Sequence, residues 1–202
     1  MNNNNNDNHD NNVESKKIFF VGLNGRLEKQ NSKKKSKPFV EQTKEIKKRV
    51  DVEKWDLSEE FLLSSTQLEL INSIVKNDFK PINDESKLII QQVERKISGY
   101  KQQDIEKKIL NPEKLVNIKH IFDSLISCEM KCYYCKCEVL LLYEIVREHK
   151  QWTVDRINND LGHNFDNYLI ACLECNLKRR RRTKEAYFFT KNLNIVKQDN
   201  EK

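Results

Sequence analysis

The chain has 202 residues, a formal net charge of +6, 34% charged residues and only 8% aromatic residues. That mix excludes a single large apolar core and predicts a modest folded region with unfolded flanks. No run approaches the ~18 apolar residues of a transmembrane helix, and the Asn-rich start lacks the apolar segment of a secretory signal.

In chain order, residues 1–12 are mostly Asn and are expected to be disordered, having too little apolar surface to offset chain entropy. Ile18-Phe19-Phe20-Val21 reads as a short strand or a docking peptide. The run Lys33-Lys34-Lys35-Ser36-Lys37 reads as a solvated linker, with a nuclear-import signal or a phosphate-binding arm as alternatives. Residues 1–57 are thus taken as a disordered, basic N-terminal region.

Residues 58–127 read as helical. Ser64-Ser65 precede Leu68, Ile71 and Val75, the spacing of a capped amphipathic helix that Pro81 ends. A second helix is expected from about Glu85, with Ile89, Ile90, Val93 and Ile97 on one face. Gly99 is a possible interruption, and the pattern continues from Asp104 to Leu110. Asn111-Pro112 resembles a cap followed by a first-turn proline, opening a third helix that carries Leu115, Ile118, Phe122 and Leu125. These stripes are core positions.

All six cysteines lie between Cys128 and Cys175. Cys132-Tyr-Tyr-Cys135 and Cys172-Leu-Glu-Cys175 are two Cys-x-x-Cys pairs, each able to turn two thiolates toward one ion. Together they make the tetrahedral sulfur set that zinc uses structurally. A disulfide framework would spread along the chain, and clustered cysteines in a chain expected in the cytoplasm or nucleus favour metal. Cys128 and Cys137 are left over, read as a buried small side chain and a surface thiol.

After the first pair, Val139–Val146 reads as a strand or a buried helix, and Gln151–Ile157 alternates like a short strand, placing Asp155 near its end. Asn158-Asn-Asp-Leu-Gly162 is a turn-rich loop. Tyr168–Ala171 leads into the second pair, with one helix expected from about Leu173 to Phe189.

Val154-Asp-Arg-Ile157, Gly162-His-Asn-Phe-Asp-Asn167 and Cys172-x-x-Cys175-Asn176 resemble the HNH endonuclease signature. The resemblance covers about residues 128–185. It implies an α+β chain: a zinc-stapled ββα-metal module at 128–190, preceded by the small helical region and followed by a tail at 191–202. It further implies that Cys132, Cys135, Cys172 and Cys175 hold structural zinc, and that Asp155 and Asn176 bind a catalytic Mg2+ or Mn2+ that contacts the scissile phosphate. Asn167 would brace the loop and orient the general base. Lys178, Arg179, Arg180, Arg181, Arg182 and Lys184 would meet the phosphate backbone of a nucleic acid, expected to be DNA, with Arg179 and Arg180 on the same helix face as Asn176.

One position departs from the family pattern. Arg156 stands where the family has the histidine that activates water, and an arginine stays protonated. Arg156 could bind phosphate or stabilise transition-state charge. His163 is the nearest candidate base and His149 the next. The alternative is a module that keeps the fold and binds nucleic acid or a protein without cutting.

Overall fold

The structure is a computed structural model that describes residues 17–18, 46–55 and 57–195. The Asn run, Phe19–Val21 and the Lys33–Lys37 run lie outside the described residues. Two units are distinguished, one comprising residues 1–40 and 192–202 and the other residues 41–191. In the first, β1 (Lys17–Ile18) pairs in parallel with β4 (Asn194–Ile195). No described helix is long and apolar enough to cross a membrane.

The second unit mixes helices with a two-stranded sheet. It holds α1 (Ser64–Lys76), α2 (Asp84–Glu106), α3 (Ile118–Ser127), β2 (Trp152–Arg156), β3 (Tyr168–Cys172), α4 (Leu173–Arg179) and α5 (Lys184–Lys191). The apolar stripes pack as expected. Ile71 and Ile74 of α1, Ile89 and Val93 of α2, and Ile121, Phe122 and Leu125 of α3 are buried together with Leu141, Leu142, Trp152 and Val154.

Several boundaries differ from the sequence expectation, each for a local reason. The first helix has Leu63 at its N-cap with no side-chain cap, and Ser64 lies inside it. Gly99 does not interrupt α2, which runs unbroken to Glu106 and stops where Lys107 and Lys108 turn, Lys108 at φ 58°. Asn83 opens α2 with a reciprocal capping box to Ser86. The third helix is opened not by Asn111-Pro112 but by Asn117, whose side chain accepts from the His120 N–H. Leu115 lies before it in a bridge to Asn164. Val139–Val146 forms neither strand nor helix; it is an irregular segment touching its neighbours at Leu140↔Gln151 and Lys48↔Ile145.

That irregular segment is held by a buried glutamine. Gln67 of α1 accepts from the Leu141 and Leu142 N–H groups at 2.7 and 3.2 Å and donates to Leu142 O and Phe61 O at 3.1 and 2.8 Å. It is fully buried. A backbone run without secondary structure leaves polar groups that something must satisfy, and one side-chain amide does so here. Gln67→Ala and the apolar Gln67→Leu should each destabilise the chain by at least about 3 kcal/mol, since each orphaned buried group costs about 1–3 kcal/mol. A denaturant midpoint that is unchanged in Gln67→Leu would contradict this role.

Strands β2 and β3 pair antiparallel from Trp152↔Cys172 to Arg156↔Tyr168. On the other edge of β2, beyond the Trp152 N–H that donates to Leu140 O at 3.1 Å, side chains of α2 take the place of a third strand. Lys96 donates to Trp152 O, and the Val154 N–H donates to the Tyr100 hydroxyl at 3.0 Å. Residues 96 and 100 are one helical turn apart, which suits two groups on the same strand edge.

Candidate metal centre and the strand–helix face beside it

The sulfur atoms of Cys132, Cys135, Cys172 and Cys175 all lie within 4.8 Å of one another. The four cysteines are positioned to hold one metal ion, in an arrangement compatible with structural zinc. Zinc–sulfur bonds of ~2.3 Å set tetrahedral sulfur edges of about 3.8 Å, and Cys135 Sγ lies 3.8 Å from Cys172 Sγ. None of the six cysteines is in a disulfide.

Local geometry explains how each pair converges. The first sits in a tight knuckle closed by the Lys131↔Glu138 bridge, with the Cys132 N–H donating to Cys137 O at 2.8 Å and the Lys136 N–H to Cys132 O at 3.0 Å. Lys136 takes the left-handed conformation that the turn requires, at φ 58°. The knuckle is tied to β3 by the Tyr133 N–H, which donates to Ile170 O at 2.9 Å. In the second pair, Cys172 ends β3 and caps α4, its sulfur accepting from the Cys175 N–H at 3.4 Å. The Cys132 sulfur is held low, to about 4, chiefly by a hydrogen bond from the Cys172 thiol, and Cys172 is held up by the same bond. Burial pushes Cys175 up to about 12. A cation bound by sulfur removes such protons outright.

The leftover cysteines are both half-buried. Cys128 caps α3. Cys137 is no isolated surface thiol: its sulfur lies 3.2 Å from that of Cys135.

Beside the cysteines, α4 packs against β2. Thr153 and Asp155 share one face of the strand, and Asn176 and Arg179 share one face of the helix, three residues apart. The Asn176 amide donates to Thr153 Oγ1 at 3.1 Å and more weakly to Val154 O at 3.5 Å. Arg179 donates to Asp155 Oδ1 at 2.6 Å, to Arg156 O at 2.6 Å and to Ile157 O at 2.9 Å. The Tyr134 hydroxyl donates to Asp155 Oδ2 at 2.6 Å. Burial raises the Asp155 carboxyl above the usual carboxylate range, with Tyr134 and Arg179 opposing that rise.

Arg179 therefore departs from its expected place. It is 1% exposed and bonded into the strand end, so it does not present itself to a phosphate backbone. The single helix expected from Leu173 to Phe189 is two helices, broken at Arg180, which turns to φ 56°. The rest of the basic run divides by partner. Lys178 pairs with Glu174, Lys184 with Glu185, and Arg182 donates to Lys178 O and lies over the Tyr187 ring. Arg180 and Arg181 are exposed, with no side-chain partner among the described residues. They border an open groove of about 1010 Å³ with Tyr187, Thr190 and Lys191.

The loop between the strands is closed by Asn167. Its amide donates to Asn158 O and Gly162 O and accepts from the Asn158 N–H, at 2.9 to 3.1 Å. Arg156 also braces this loop, donating to Asn159 O and Leu161 O. His163 does not join the Asp155 face. It is buried under α2, Nδ1 2.7 Å from Asp104 Oδ1, with its backbone N–H donating to Asp104 Oδ2 at 2.6 Å and its ring stacked on Tyr100. His149 is exposed in the turn before β2, where its carbonyl accepts from the Glu174 N–H at 3.3 Å.

Burial depresses His163 below its ordinary value, outweighing the Asp104 carboxylate beside it. The unfolded chain then takes up a proton here first as pH falls, so the stability held by the neutral ring is complete above about pH 6.5 and lost below it. The thermal-midpoint gap between wild type and His163→Gln should narrow as pH drops from about 7 to 5. A gap that does not depend on pH would remove this assignment.

Comparison with models of known protein families, with curated proteins and with solved structures found no match for this chain.

Sequence reasoning missed Gln67, Asp104 and Tyr134. Tyr134 alone carried a signal: it lies inside the first Cys-x-x-Cys pair, two residues past Cys132.

Proposed function

We propose that this chain is a metal-dependent endonuclease of the HNH type, hydrolysing phosphodiester bonds in DNA. The observation that carries this reading is the packing of α4 on β2, which sets Asn176 over Thr153 and places Asp155 next along the same strand face. Two antiparallel strands followed by a helix, with an aspartate and an asparagine at that junction and four cysteines stapling its base, support a ββα-metal arrangement.

The donor chemistry fits a hard divalent ion such as Mg2+ or Mn2+. Each carboxylate oxygen of Asp155 has one hydrogen-bond partner, and each has a second acceptor position. Asn176 turns its NH2 toward the strand, leaving its carbonyl oxygen as the ligand atom. Mg2+ accepts so small a protein set because it retains several waters. When bound, such an ion supplies Lewis-acid polarisation of a phosphate oxygen. Asp155 and Asn176 would hold it, Arg179 and Tyr134 fix the Asp155 carboxylate beforehand, Asn167 keeps the loop closed, and Arg180 and Arg181 bind backbone phosphates.

A second reading is favoured by one observation. Among the described residues no histidine is bonded to Asp155: His163 is engaged by Asp104, and Arg156 is tied to the loop. In that reading the module binds nucleic acid without cutting it. Plasmid DNA incubated with the zinc-loaded protein and Mg2+ or Mn2+ distinguishes the two. Under the first, cleavage appears, stops with EDTA and falls at least ~100-fold in Asp155→Asn. Salt-sensitive DNA binding with no cleavage under any divalent ion would sink the nuclease reading and leave the second.

A further inference from the structure

We propose that the cleft between α2 and the irregular segment before β2 is a binding site for a phosphate group, built around Lys96, Arg49 and Arg95. The cleft measures about 400 Å³ and is also lined by Gln92, Tyr100, Gln103, Tyr143 and Thr153. That volume lies within the range of small-ligand pockets. The site is separate from the Asp155 face and stands whether or not that face is catalytic.

The charge distribution carries the argument. Three cations converge on the cleft, and no carboxylate is among the described residues that line it. Asp51 reaches the rim only, at 2.7 Å from Arg95 and 3.9 Å from Arg49. Lys96 has no carboxylate partner among the described residues. Its ammonium lies 4.7 Å from the Trp152 ring centre and 5.6 Å from that of Tyr143, and it donates to Trp152 O. An ammonium has three donors, so that bond leaves capacity for a ligand. The Arg49 guanidinium lies on the other part of the same aromatic wall, 4.6 Å from Tyr143 and 4.9 Å from Trp55. The two like charges share one aromatic side chain and repel each other, and of the two only Arg49 has a carboxylate within reach, Asp51 at 3.9 Å. Burial and the charge of Arg49 push Lys96 down to about 7. A dianion between the two cations would remove that repulsion. A phosphate suits the set best, since it pairs with a guanidinium through paired hydrogen bonds and with an ammonium as a point charge, while Gln92 and Gln103 offer neutral donors.

Each tryptophan of the chain stacks against one of these cations, so intrinsic fluorescence reports on the site. The zinc-loaded full chain is titrated with inorganic phosphate, with ribose 5-phosphate, and with a DNA oligonucleotide lacking terminal phosphates, against a chloride control. Saturable binding of either small phosphate supports the proposal and identifies a terminal or free phosphate as the ligand. Binding of the oligonucleotide that Lys96→Met weakens identifies a backbone diester. In each supporting case Lys96→Met and Arg49→Met weaken binding at least tenfold and Lys96→Arg retains most of it; Asp155→Asn leaves binding of the two small phosphates unchanged. Circular dichroism and the thermal midpoint check that the variants are folded; should Lys96→Met fail to fold, Arg49→Met and the exposed Arg95→Ala carry the test. No saturable response to any of the three ligands, or folded Lys96→Met or Arg49→Met binding as tightly as wild type, overturns the proposal.

Discussion

Chelating the metal from a zinc-loaded preparation should unfold the second unit, with loss of near-ultraviolet circular dichroism and of the cooperative thermal transition. The cysteines tie the knuckle at Cys132 to the end of β3 and the first turn of α4. Apparent zinc-binding energies for such sites run to about 10–16 kcal/mol, whereas a folded domain is stable by only about 5–15 kcal/mol. Removal of the ion is thus able to exceed the whole margin. One zinc per chain should be found by atomic absorption, and Cys132→Ser or Cys175→Ser should lose it. Cys128→Ser should keep it, since Cys128 stands outside the cluster. Cys137→Ser is the sharper control, because its sulfur lies near that of Cys135 without belonging to the set of four. Full zinc content in Cys175→Ser would refute the assignment.

The second large effect is expected at the Asp155–Arg179 pair. Both side chains are almost completely buried, 2.6 Å apart. Arg179→Met alone should destabilise the chain by about 3–5 kcal/mol, because it leaves a buried carboxylate without its counter-charge, and Asp155→Leu alone should cost a similar amount. The double variant should recover most of that loss, since well-packed apolar pairs commonly equal a buried ion pair. A double-mutant cycle by chemical denaturation measures the coupling; near-additive losses would show that the pair does not act as a unit. Arg179 also donates to the carbonyls of Arg156 and Ile157, so part of the cost of its removal will persist in the double variant. The pair also bears on function: Asp155→Asn keeps the shape and one oxygen, so it separates loss of cleavage from loss of fold better than Asp155→Leu does.

The sequence made the cysteine site legible because its geometry is local: a Cys-x-x-Cys turn brings two sulfurs together whatever surrounds it. The apolar stripes of α1, α2 and α3 were legible for a related reason, since helical periodicity writes burial into spacing. What was not legible is polar and long-range. Arg179 looked like one of several surface arginines, and only a carboxylate on β2 makes its burial tolerable. Gln67 and Asp104 lie on helices where a polar residue ordinarily faces water; their partners, Leu141–Leu142 and His163, lie far along the chain. The break at Arg180 could not be read either, because a non-glycine residue at positive φ is imposed by its surroundings and has no propensity signal. The same reasoning explains His163: as a loop histidine next to a glycine it looked available, and the α2 carboxylate that claims it could not be seen.

The substitution of α2 side chains for a third strand has a consequence for the portability of this chain. The residues that resemble a known motif begin near Cys128, and a fragment starting there would be a natural unit to excise or graft. Yet Tyr100 accepts from the Val154 N–H, Lys96 donates to Trp152 O, Asp104 holds His163, and Gln67 satisfies the backbone at Leu141 and Leu142. The excised fragment would carry its four cysteines but leave the Trp152 carbonyl and the Val154 N–H on the outer edge of its β2–β3 hairpin unsatisfied. Such a hairpin invites pairing with another copy. The helices before Cys128 thus act as a built-in edge guard, and a fragment carrying the cysteine segment keeps that edge covered only with them attached.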